Sequence, residues 1–84
     1  MAVPPDIEWV PVRSSNLAAV AYYEMPTPPY RRLYVQFKSG AVYFYDAVPR
    51  ALYDGLLAAP SKGEYLYAVI RRKGTDSEYA YGRA

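Results

Sequence analysis

The side chains able to do chemistry in this chain are few. There is no histidine and no cysteine among its 84 residues. That removes thiol nucleophiles, iron–sulfur clusters and the usual zinc ligand sets. It also removes the commonest general base. A nucleophile would have to be a serine beside a lysine, or a carboxylate pair would have to do the work. Ser61 and Lys62 are adjacent, but Ser61 stands where a helix cap is expected. Asp46 and Asp54 are the acids near the first helix, and their spacing suggests no pair. Catalysis is therefore not expected, and neither is a metal or a cofactor.

What remains is the chemistry of binding. Net charge is only +2, too small by itself to argue for nucleic acid, but the cations cluster while the acids are scattered singly. Arg31–Arg32 is one pair and Arg71–Arg72–Lys73 is a triple. Either could meet phosphates. The plainer reading of the triple is pairing with a helix C-terminal dipole, and that of Arg31–Arg32 is similar. Ser61–Lys62–Gly63 opens a helix, where backbone N–H groups and a lysine offer an anion site that Gly63 would let a phosphate approach. The plainer reading is a helix start with a solvated lysine. Ser14–Ser15–Asn16 precede an apolar run. Short polar side chains there bond neighbouring backbone groups in turns, and the triplet also stands as a possible polar site.

These groups need a scaffold, and 84 residues allow one domain. Such a chain buries roughly 60–65% of its unfolded surface, so each large side chain matters. With 52% apolar and 21% charged residues, and eleven tyrosines, the composition is globular. Without disulfides the domain stands on its core or on an oligomer. No apolar run is long enough to span a membrane. The start, "MAVPPDIEWV", carries acids and prolines and lacks a basic apolar leader, so a cytoplasmic protein is expected.

Residues 1–9 read as an extended arm, pinned by the single tryptophan, Trp9, against the body. Pro11 confines "WVPVR" to an edge strand at most. Leu17 to Glu24 reads as the first strand. Ala18, Val20 and Tyr22 share one face, and Leu17 sits just outside the alternation. "MPTPPY" is a stiff loop. Leu33–Phe37 and Ala41–Tyr45 form a hairpin across "KSG". A two-residue loop pairs Phe37 with Val42. A three-residue loop pairs Phe37 with Ala41, Val35 with Tyr43 and Leu33 with Tyr45. The second is favoured, because its third position wants glycine and Gly40 stands there.

The outer sheet face then carries Tyr34, Gln36, Val42 and Phe44. Tyr34 and Phe44 could stack bases, meet a protein or lie covered by the arm. Pro49 to about Ala59 is the first helix, with Leu52, Tyr53, Leu56 and Leu57 as its buried stripe. Ser61 and Glu64 make a capping box for a second helix, from about Lys62 to Lys73, that Gly74 stops. The tail "TDSEYAYGRA" either docks as a short strand or stays loose. The expected fold is α+β: a three-stranded antiparallel meander followed by two helices packed on one sheet face.

"VPVRSSNLAAVAYYE", "LYVQFKSGAVYFYDAVP" and "LYDGLLAAPSKGEYLYAVIRRKG" in this order resemble the KTSC domain family. That family is named for the C-terminus of some lysyl-tRNA synthetases and also occurs as stand-alone bacterial and phage proteins. The resemblance covers about residues 10–82. It includes Ser14, Ser15, Asn16, Gly40, Tyr43, Tyr45, Ser61, Lys62 and Gly63, and it too supports the three-residue loop. Ala21 and Tyr23 depart from it, where a glycine and an aspartate are expected. Tyr67 and Val69 depart as well, replacing an asparagine and a histidine. By association with a tRNA enzyme, the resemblance implies a nucleic-acid role.

The expectation is a small non-enzymatic binding module for RNA or single-stranded DNA. Phosphates would lie at Lys62, Gly63, Arg71, Arg72, Lys73, Arg31, Arg32 and Lys38, with Tyr34 or Phe44 stacking bases. The alternative is a protein-interaction or homodimerisation module, including a phage or bacterial accessory protein, docking through the outer sheet face.

Overall fold

The structure is a computed structural model that describes residues 3–71 and 79–84. Strands β1 (Val10–Pro11), β2 (Leu17–Glu24), β3 (Arg31–Phe37) and β4 (Val42–Asp46) come first. Helix α1 (Arg50–Ala58) follows. Helix α2 (Lys62–Tyr65) continues directly into a π-helical segment, Leu66–Arg71, and strand β5 (Tyr81–Arg83) comes last. All neighbouring strands are antiparallel, in the order β1-β2-β3-β4-β5.

The β3–β4 hairpin has the three-residue loop. Leu33 faces Tyr45, Val35 faces Tyr43, and the Phe37 N–H donates to the Ala41 carbonyl. Gly40 takes φ +98°, the left-handed value this loop needs at its third position. The register puts Val35, Leu33 and Tyr45 on the face that the helices cover.

Two expectations need correction. The sheet has five strands, not three. β1 offers two residues and one of them is proline, so no alternation announces it. β5 is three residues long and pairs with β4, far away in sequence. Local periodicity cannot report a partner so distant. The second helix is also altered. It starts at Lys62 as expected, but its last six described residues are π-helical. Ser61 makes no side-chain cap bond. It holds the helix start through its backbone carbonyl, which accepts from Tyr65 N–H at 3.1 Å.

Leu17, just outside the alternation of β2, is fully buried in the core. The β2–β3 register shifts by one residue between Leu17 and Ala19. A bulge there leaves one extra residue on β2, so Leu17 and Val20 face the same way.

The core joins Val20, Leu33, Val35 and Tyr45 of the sheet to Tyr53 and Leu56 of α1 and to Leu66 and Ile70 of the second helix. Each such side chain contributes about 1.5–3 kcal/mol by leaving water. Tyr53 stacks on Tyr22 at 5.1 Å, and the Tyr22 hydroxyl donates to the Val48 carbonyl at 2.6 Å. These contacts fix α1 across the end of β2. Gly55 lets Tyr65 approach α1, since a β-carbon there would sit 2.9 Å from Tyr65 Cζ.

Candidate functional site

The polar triplet before β2 divides into a structural residue and two that face a cleft. Ser14 Oγ accepts from the N–H groups of Asn16 and Leu17, both at 3.2 Å. That is the turn that feeds β2. The Asn16 carbonyl then accepts from Lys38 N–H at 2.8 Å, which ties this turn to the tip of the β3–β4 hairpin.

Between turn, tip and second helix lies a cleft of about 420 Å³, lined by Ser15, Asn16, Phe37, Lys38, Ser39, Ala41, Tyr43 and Tyr67. Ser15, Asn16, Lys38 and Ser39 are exposed at its mouth, while Phe37, Tyr43 and Tyr67 are half-buried. The Phe37 and Tyr43 rings meet edge to face at 5.6 Å and 89°. Gly63 stands beside the turn, its missing side chain leaving 3.7 Å to Asn16 Nδ2. None of the described lining residues is acidic. The groups offered are an ammonium, a carboxamide, hydroxyls and aromatic faces. They suit an anion that also carries a flat apolar part.

The other expected phosphate contacts do not gather here. Arg31 and Arg32 begin β3 and Lys38 follows its end, so they lie about 20 Å apart at the rise of an extended strand. Arg31 is exposed. Arg32 Nε donates to Asp46 Oδ1 at 2.5 Å, with both side chains largely buried, and its guanidinium lies 4.7 Å from the Phe44 ring centre. Burial works against the Arg32 charge, but bonds to Asp46 and Tyr34 outweigh it and hold the group above its ordinary value. So Asp46 is an ion-pair residue. Asp54 is another, meeting Arg50 Nε at 3.3 Å. Lys62 Nζ donates to the Ala59 carbonyl at 2.9 Å, closing the end of α1. Arg71 closes the described helix by its backbone. Its side chain, and Arg72 and Lys73 entirely, lie outside the described residues.

Of the two expected stacking residues, Tyr34 is covered and Phe44 is half-buried. Tyr34 is 1% exposed and its ring meets Trp9 edge-on at 6.4 Å. The arm thus pins as expected, and it removes Tyr34 as a platform. Phe44 lies between Arg32 and the backbone of Gly82, where a β-carbon would come within 2.9 Å of the ring. The cleft residues Ser39, Tyr43 and Tyr67 were missed as site residues. Tyr43 read as core alone, and only the departure of Tyr67 from the family pattern marked that position.

The turn, the hairpin tip and the start of the second helix all lie within the sequence resemblance, and the comparisons bear out that resemblance. The sequence profile of the KTSC domain matches residues 13–73. The chain belongs to the KTSC domain family. A protein of Tsukamurella paurometabola is 36% identical over 61 residues, covering 73% of this chain and 85% of its own. An uncharacterised protein of Stutzerimonas stutzeri is 37% identical over 62 residues, covering 74% and 82%. The crystal structure of a KTSC domain protein from Yersinia pestis superposes with a TM-score of 0.73 at 28% identity, over 93% of this chain and 97% of that one. In this KTSC domain, no helix among the described residues is long and apolar enough to cross a membrane.

Proposed function

We propose that this KTSC domain is a non-enzymatic binding module whose favoured ligand is nucleic acid, RNA or single-stranded DNA. The observation that carries the reading is the cleft, which sets Lys38 and Asn16 beside aromatic walls, with no acid among its described lining residues. Phosphates would meet Lys38 at the hairpin tip, and such contacts weaken steeply with salt. The described lining of the cleft holds no histidine, cysteine or carboxylate, which favours binding over catalysis. An anisotropy titration with tRNA and with single-stranded DNA at low salt tests it. Saturable, salt-sensitive binding is expected. No binding on the order of tens of micromolar sinks it.

A protein-interaction or homodimerisation module is the second reading. Its support is Tyr81 of β5, a large apolar side chain that stands half exposed. Light scattering at high protein concentration separates the two. A dimer that Tyr81→Glu dissociates favours it, and a monomer throughout counts against homodimerisation.

A further inference from the structure

We infer that the cleft takes one unpaired nucleotide at a time, its phosphate on Lys38 and Asn16 and its base against Tyr67 and Tyr43. This rests on the nucleic-acid reading above and adds what part of the polymer is held. Three observations carry it. The first is size. About 420 Å³ lies in the lower part of the roughly 300–1,000 Å³ range of small-ligand sites, which suits a single nucleotide unit.

The second is the layout of polarity. Ser15, Asn16, Lys38 and Ser39 form an exposed polar rim, and Phe37, Tyr43 and Tyr67 form a half-buried aromatic floor. A nucleotide has that division, with an anionic end and a flat ring. The serine hydroxyls and the Asn16 carboxamide can each donate and accept, so they can meet sugar hydroxyls or base edges. The third is organisation. Asn16 is held by two bonds of its backbone, from its N–H to Ser14 Oγ and from Lys38 N–H to its carbonyl. The Tyr43 ring is held by Phe37. A site ordered in advance loses less entropy on binding.

A duplex meets these features differently. Its phosphates can reach Lys38, but its base faces are hidden in the stack and cannot reach the rings. The inference therefore predicts discrimination by strandedness.

The test is fluorescence anisotropy at low salt with a short labelled oligothymidylate and a labelled, fully paired hairpin duplex. The single strand is expected to bind more tightly. Tyr67→Ala should weaken it about tenfold or more, the scale of losing one base–aromatic stack. Asn16→Asp, nearly the same shape on an exposed residue, should weaken it also, while circular dichroism stays unchanged. Lys38→Gln should lower the salt slope by about one phosphate, and Tyr67→Ala should leave the slope alone. If duplex and single strand bind alike, the inference is overturned and the nucleic-acid reading stands. The same holds if Tyr67→Ala and Asn16→Asp both bind as the parent does while Lys38→Gln weakens. If neither probe binds, the inference is overturned, and the tRNA titration decides whether the nucleic-acid reading falls with it.

Discussion

Tyr65 occupies the space that a side chain at Gly55 would fill: a β-carbon at Gly55 would lie 2.9 Å from Tyr65 Cζ and closer still to its hydroxyl. Helix propensity alone says that alanine at position 55 should help by about 1 kcal/mol. Packing says the reverse, because the ring must move out of a fitted contact. Gly55→Ala is therefore expected to destabilise by about 1–3 kcal/mol, the usual cost of overpacking. Urea unfolding measures it. A stabilised variant would show that the α1–α2 contact is looser than described.

The hairpin register makes a prediction about neighbours on one strand. Tyr45 is fully buried beneath the helices, while Phe44 lies on the opposite face under Arg32. Tyr45→Ala should cost about 3–5 kcal/mol, as large core truncations do. Phe44→Ala should cost clearly less. Denaturation of the two variants side by side reads the order, and the reverse order would contradict the register.

Arg32 and Asp46 share a largely buried ion pair across β3 and β4. Removing one partner strands the other charge in poor solvent. Asp46→Ala is expected to destabilise by about 2 kcal/mol, less than for a fully buried pair because some solvent remains. Replacing both with apolar residues, Arg32→Met with Asp46→Leu, should restore much of that loss. A double-mutant cycle on thermal midpoints checks it.

With no histidine to titrate near neutrality, the pH response of stability rests on other groups. Burial raises the phenols of Tyr22 and Tyr53 above their ordinary 10.0, despite the nearby Arg31 and Arg50. The folded protein then keeps protons that the unfolded chain has lost. Stability from this source is fully present below pH 10 and is lost as pH rises through the raised values. Tyr22→Phe should cost about 1 kcal/mol at neutral pH through its bond to Val48. It should also shallow the alkaline decline. Thermal midpoints measured across alkaline pH test both parts.

Much of this architecture is legible in the order of residues alone. Alternation placed β2, β3 and β4. Gly40 selected the loop that sets Tyr43 and Tyr45 inward. The stripe around Tyr53 and Leu56 placed α1. These are local or compositional properties, which a chain displays in its order of residues.

Other features depend on what lies across from a residue, and order alone does not show that. The bulge that turns Leu17 inward is a mismatch between two strands. β1 and β5 exist as strands because β2 and β4 offer them edges. Tyr34 is lost to stacking because Trp9, 25 positions earlier, reaches over it. Lys62 meets a carbonyl at the end of the preceding helix. The cleft is the clearest case: Ser15, Lys38 and Tyr67 come from three separate segments, and only packing of the second helix beside the hairpin tip makes them neighbours. The sequence by itself determined the elements, the inward faces and the chemical alphabet available for binding, because these follow from backbone preference and burial. The tertiary structure alone decided which of those letters are covered, which are paired and which face one cleft, because those outcomes rest on contacts between residues far apart in the chain.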